Sequence, residues 1–250
     1  MSSITIAAIA FACVFGGSLL GMGLRTLLRE HHLSSETKDV VKVGVGLIAT
    51  MSALVLGLLV ASAKSSFDTQ KNEVGQIAAS VILLDRALAH YGPETKEHRD
   101  ILRGNVERML GQMWSTGGAH ASEAQPSTSS EVIFDKIVSL APKTEAQRGL
   151  QAQAVKTAID IGQVRWLMFA QKTSAVSMPF LVVVLFWLTL TFLSFGLYAP
   201  RNGLVFATLL LCALSVAGAL FLVLELDRPF DGYIQISSEP LRNALAQLGK

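Results

Sequence analysis

Side chains that could ligate a metal, attack a substrate or cradle a phosphate are sparse in this chain of 250 residues, and their spacing speaks against each chemistry. The five histidines are His31, His32, His90, His98 and His120. Zinc needs three or four convergent ligands, usually at short spacings. His31 and His32 are adjacent and point apart on a helix, and the other three lack a Cys or His neighbour in sequence. Cys13 and Cys212 both lie inside apolar runs and read as small packing residues. No nucleophile elbow, phosphate-binding glycine loop or Cys-x-x-Cys pair occurs. The chain is therefore read as a non-enzyme, with no catalytic residue, no metal site and no cofactor.

Pattern is instead carried by small residues inside apolar runs. Gly16, Gly17, Gly21 and Gly23 lie in the first run, where spacings of four let helices approach closely. In the second run Gly46, Thr50, Ala53, Gly57 and Ala61 form a stripe along one helical face, bounded by Lys42 and Lys64. Two readings of this stripe stand. It is either a tight packing surface or the lining of a pore, where rings of Lys42 or Lys64 at the mouths would favour anions. A third cluster closes the chain: after Glu225 come Asp227, Arg228, Pro229, Phe230, Asp231 and Gly232. Proline lacks an N–H and restricts its predecessor, and glycine permits the positive φ of a tight reversal. These residues are expected to form a docked turn with Phe230 buried against the polar middle of the chain.

Four apolar runs must position these residues: Ile4–Leu24, Val43–Ala63, Pro179–Ala199 and Gly203–Leu224, none interrupted by Asp, Glu, Lys or Arg. About 20 apolar residues in a helix cross the roughly 30 Å hydrocarbon core. A lone strand would leave its backbone polar groups unpaired in lipid, so the spans are helices. The expected fold is all-α: a four-span helical membrane protein with a helical insert between spans two and three. The predicted division is a transmembrane hairpin over 1–63, a helical extramembrane domain over 64–178, a second hairpin over 179–225, and a turn with an amphipathic tail over 226–250. The start, Met1-Ser2-Ser3-Ile4, lacks the basic region of a secretory leader, so the first span is read as retained. The net charge of +2 gives no electrostatic case for nucleic acid as a partner.

Within the insert, Val74, Ile77, Val81, Leu84, Leu88 and Tyr91 recur at steps of three and four, the seam of a helix continuing out of span two. Gly92-Pro93 ends it, and Leu102, Val106, Met109 and Met113 mark the next helix. Residues 117–130 read as a flexible connection, and a short helix follows over 131–140. Thr144 with Gln147 fits a capping box, ahead of a stripe of Leu150, Ala154, Ile161, Val164 and Met168. The helices flanking the insert are expected to pack as an extended stalk. Tyr233–Ser237 alternates like an extended segment, and a terminal helix begins near Ser238 and Pro240.

Ala63-Lys64-Ser65-Ser66-Phe67-Asp68 and the ending from Leu224 to Gly232 resemble the bestrophin-like family of bacterial membrane proteins. Pro229-Phe230-Asp231-Gly232 is also similar, with one inserted residue, to the Pro-Phe-Gly turn of the bestrophins themselves. Those are pentameric anion channels with four spans and a helical cytosolic region. Two features differ: the second span has no aromatic residue, and no acidic calcium clasp follows the turn. The resemblance implies a homo-oligomeric ion channel, with anions as the permeant class and the bilayer as partner. A non-conducting scaffold or signalling protein is the alternative, motivated by the heptad seam. A stator-like proton channel is a further one, weakened because only hydroxyls lie inside the spans. The expected location is the bacterial inner membrane with a cytoplasmic insert. Lys and Arg near the span ends do not decide the orientation: Arg25, Arg29, Lys38, Lys42 and Arg201 oppose Lys64, Lys71, Arg165, Lys172, Arg228 and Arg242.

Overall fold

Helix after helix follows from the absence of any water partner for the backbone within the apolar runs. The computed structural model describes residues 2–25, 35–114, 129–170, 178–200 and 202–249. His31, His32, His120, Arg29, Lys172, Arg201 and most of the 117–130 connection lie outside them, as does the side chain of Lys38. The helices are α1 (Ser3–Leu24), α2 (Ser35–Tyr91), α3 (Lys96–Met113), α4 (Ser129–Val138), α5 (Glu145–Ala170), α6 (Met178–Tyr198), α7 (Gly203–Leu226) and α8 (Glu239–Gln247). No strand occurs among the described residues, and Tyr233–Ser237 is irregular. Four helices are long and apolar enough to cross a membrane: α1, the apolar part of α2, α6 and α7. The fold is thus an all-helical integral membrane protein.

The chain divides into two compact units, Met1–Ser66 with Ala175–Asp227, and Phe67–Ser174 with Arg228–Lys250. The exit turn and the tail therefore group with the insert rather than standing apart. Helix α2 is unbroken through residue 66 and contributes to both units.

In the first unit Val14, Leu59, Ala63, Val184, Phe192, Ala213 and Val223 share one core drawn from α1, α2, α6 and α7. Lipid is as apolar as leucine, so packing rather than water exclusion must hold such helices together. The closest packing is between α1 and α6. A Cβ added at Gly21 would overlap the Leu193 carbonyl oxygen and come within 2.9 Å of Leu197 N. One added at Gly196 would overlap the Ser18 carbonyl oxygen and come within 3.1 Å of Met22 N. Gly17 meets Thr189 less tightly, at 3.0 Å, whereas Gly16 and Gly23 face open space. Of the four glycines in the first run, two therefore make the approach and two do not. The Asn202 side chain starts α7 by accepting from Val205 N at 2.8 Å.

In the second unit all six seam residues of α2, from Val74 to Tyr91, are buried. The chain then reverses at Gly92, whose φ of 145° is open to glycine and strained for other residues. Buried Thr95 locks this reversal, its hydroxyl lying 2.8 Å from the Gly92 carbonyl oxygen. Thr144 Oγ1 accepts from Gln147 N at 3.1 Å, while Gln147 Oε1 accepts from Lys143 N at 2.8 Å. Gln147 also donates to the Tyr91 carbonyl at 3.0 Å, so the cap of α5 grips the end of α2. His98 Nε2 lies 3.2 Å from the Lys136 carbonyl oxygen, and Lys136 pairs with Glu97, joining α3 to α4.

Gly196→Val and Gly21→Val should each force α1 from α6 against main-chain atoms that cannot yield. Overpacking of this kind typically costs about 1–3 kcal/mol, and more where backbone must move. Thermal melting in detergent should show a large fall for both, with Gly16→Ala and Gly23→Ala close to the parent.

Candidate functional site

Seven α2 residues share one exposed face of the helix. Lys42, Gly46, Thr50, Ala53, Gly57, Ala61 and Lys64 are all exposed in the protomer. A Cβ built on Gly46 or Gly57 meets nothing within 4 Å. Neither glycine is therefore in close contact with a neighbouring helix among the described residues. Burial falls on the opposite side of α2, at Ser52, Leu59 and Ala63.

Beside the small stripe runs a second exposed row of large side chains: Val43, Leu47, Leu54 and Leu58, all between 64% and 76% exposed. The helix thus offers two adjacent surfaces, one small and one bulky. Thr50 donates its hydroxyl to the Gly46 carbonyl at 2.9 Å, so the stripe's one hydroxyl is satisfied within the helix. Near the start of the stripe a groove of about 340 Å³ opens between Val41, Lys42, Val45, Gly46 and Ala49 of α2 and Ser194, Phe195, Tyr198 and Ala199 of α6. Lys42 and Lys64 are separated by about 33 Å of helical rise, close to the thickness of the hydrocarbon core. Lys42 stands 3.7 Å from Asp39 with both side chains largely exposed, a pairing too solvated to cancel its charge.

The exit turn occupies the second unit apart from its first residue. Asp227, half-buried, caps α7 through its N–H to the Val223 carbonyl at 3.2 Å. Glu225, two residues earlier, is 2% exposed inside the first unit. Arg228 and Asp231 are exposed, Pro229 is buried, and Phe230 and Gly232 are half-buried. Gly232 N donates to the Arg228 carbonyl at 3.1 Å, and Ile236 N to the Pro229 carbonyl at 2.8 Å. Gly232 does not adopt positive φ; among the described residues that conformation belongs to Gly92 and Gly249.

Phe230 docks edge-on to Trp114, with ring centroids 5.5 Å apart and planes at 86°. Trp114 Nε1 also donates to the Ile236 carbonyl at 2.8 Å, so one indole holds both ends of the loop. The tail continues along the same unit, where Leu241, Ala244 and Leu248 of α8 and its C-cap are buried. It ends on an ion pair at the buried Asp85: Arg99 Nε and Nη2 donate to Asp85 Oδ1 and Oδ2 at 2.7 and 2.9 Å. Gly249 N lies 3.4 Å from Asp85 Oδ2, and Arg103 Nη1 lies 3.4 Å from the Leu248 carbonyl oxygen. The hydrogen bond to Asp85 raises the Arg99 pKa above its ordinary value, outweighing the opposing effect of burial. Trp114 and the Asp85–Arg99 pair escaped the sequence reading, since neither has a local spacing that would announce it.

Among the described residues no three His, Cys, Asp or Glu side chains gather as a metal site. A family model described as a bestrophin-like domain matches residues 12–241. The chain is also similar in structure to a bacterial bestrophin homologue from Klebsiella pneumoniae, crystallised with a point substitution. The TM-score is 0.65 at 16% identity, covering 97% of this chain and 99% of that one. No curated protein matches.

Phe230→Ala and Trp114→Ala should each lower the melting temperature, by less than truncation of a fully buried aromatic because both rings keep some exposure. A double-mutant cycle should return a coupling of about 0.5–1.5 kcal/mol for the edge-to-face pair. Limited proteolysis of either variant should open the 229–236 loop earlier than in the parent.

Proposed function

The chain belongs to the bestrophin-like family, and from that premise we propose that it is a homo-oligomeric anion channel whose permeation path is lined by the small stripe of α2. The observation that carries this reading is the exposure of Lys42, Gly46, Thr50, Ala53, Gly57, Ala61 and Lys64 on one face. An exposed face of small side chains suits a water-filled lumen. The adjacent bulky row suits the neighbouring copy or lipid. Rings of Lys42 and Lys64 concentrate anions at the two mouths, while the segment between them holds no carboxylate. Resemblance to the bestrophins supports an inner-membrane location with a cytoplasmic insert.

The alternatives draw less support. The seam that motivated a scaffold, Val74 to Tyr91, is buried within its own unit and so is not presented to a partner. For a proton channel of the stator kind, the span hydroxyls would have to relay protons. Thr50, Ser52, Thr191, Thr208 and Ser215 each donate instead to a carbonyl four residues back in their own helix.

Purified protein in planar bilayers should pass anion-selective current. Reversing both charges, Lys42→Glu with Lys64→Glu, should shift the permeability ratio towards cations, more strongly at low salt where screening is weak. Gly57→Leu should lower unitary conductance with little change in melting temperature, because its new side chain enters open space. Silent bilayers despite verified reconstitution would rule conduction out.

A further inference from the structure

Where the second apolar run begins and the third ends, α2 and α6 leave a groove of about 340 Å³ between them. A water needs roughly 10–15 Å³, so the space suits an extended molecule rather than an ion. On α2, half-buried Val41, Val45 and Ala49 follow one another at steps of four and make the floor. Lys42 and Gly46, each one residue further round the helix and exposed, form the rim shared with the small stripe. Phe195 and Ala199 of α6 belong to the other wall. Lys42 is the one charged side chain in the lining. A second cation is fixed at the same end: Arg25, directly after the first apolar run, donates through Nη1 to the Ala199 carbonyl. A carbonyl accepts that bond without cancelling the positive charge. Asp39 stands 3.7 Å from Lys42 in a solvated pair, which leaves two cations against one carboxylate there among the described residues.

We propose that the groove seats one acyl chain of an anionic phospholipid, whose phosphate is held by Lys42 and Arg25. The charge pattern selects this occupant. Apolar walls descend into the span from a cationic end at the membrane boundary. A phospholipid carries the complementary order, an anionic phosphate above apolar chains, and basic pockets between spanning helices bind such headgroups. Tyr198, half-buried in the lining, stands at the same boundary, where the amphipathic ring of tyrosine is favoured. Tails alone do not discriminate, because lipid surrounds the span and a chain in the groove gains only dispersion contacts. Headgroup charge is what selects the ligand. The groove takes Lys42 and Gly46 from the end of the small stripe and leaves Thr50 to Ala61 outside it, so the site stands whether or not the stripe lines a pore.

Native mass spectrometry of the full chain in detergent tests this without any measurement of current. Dioleoyl phosphatidylglycerol should bind in preference to dioleoyl phosphatidylcholine and should raise the melting temperature, since a ligand of the folded state stabilises it. A cation near a headgroup is worth about fivefold in affinity, so Lys42→Gln and Arg25→Gln should each cut the preference by about that factor. Ala49→Phe, which fills the floor, should weaken phosphatidylglycerol binding with both cations intact. If Arg25→Gln fails to fold for want of its bond to Ala199, the exposed Lys42→Gln carries the comparison. Glycerol phosphate, with the charge but no chain, should leave the melting temperature unchanged at equal ionic strength; stabilisation equal to that by the lipid would make this a free-anion site and overturn the proposal. Equal binding of the two lipids also overturns it, as does a map in phosphatidylglycerol nanodiscs with side chains of a neighbouring copy in the groove.

Discussion

Main chain meets main chain where α1 crosses α6, and the layout of the membrane unit depends on that contact. Gly21 lies against Leu193 and Gly196 against Ser18, with no room at either place for a Cβ. In lipid such closeness supplies dispersion contacts that long side chains would prevent, and little else favours one helix pairing over another. Helix α7 also packs on α1, so two helices gather around the first. Helix α2 joins their core through Leu59 and Ala63. The small stripe lies away from that core and is exposed. Glycine thus plays two parts here: at Gly21 and Gly196 backbones touch, whereas at Gly46 and Gly57 of α2 there is space.

The extramembrane unit depends on a different kind of constraint, the satisfaction of buried polar groups. Asp85 is 2% exposed and would be costly there without Arg99, whose two donors match its two oxygens. Removing Arg99 would leave the Asp85 charge buried and unpaired, a loss that typically costs about 3–5 kcal/mol. The last residues of the chain reach this pair through Gly249, Arg103 holds the Leu248 carbonyl beside it in sequence, and the loop before them is fastened by Trp114. Thus the polypeptide that leaves the membrane at Asp227 is gathered onto the insert by one indole, one apolar helix face and one ion pair.

Periodicity made much of this legible. The steps of three and four from Val74 to Tyr91 identified a buried face because a helix repeats every 3.6 residues, and Thr144 with Gln147 announced a cap through local chemistry. The four spans were readable because hydrocarbon thickness sets their length. What stayed hidden depends on tertiary approach. Gly16 and Gly17 are adjacent and alike in sequence, yet only Gly17 meets a neighbouring helix, a matter of which way each faces. Gly232 looked like the residue of positive φ in a reversal, but an Arg228–Gly232 hydrogen bond closes that turn without it, and Gly92 carries the strained conformation. Phe230 was expected to be buried; its partner Trp114 and its remaining exposure could not be read from either residue's surroundings.

The account turns on which face of α2 meets water in the assembled protein. Single cysteines along α2, placed after Cys13 and Cys212 are replaced by alanine and probed in membrane vesicles with a charged, membrane-impermeant thiol reagent, ask this directly. The account predicts reaction at positions 46, 50, 53, 57 and 61 and protection at 43, 47, 54 and 58. Labelling of the bulky row in place of the small one, or of neither, would contradict it.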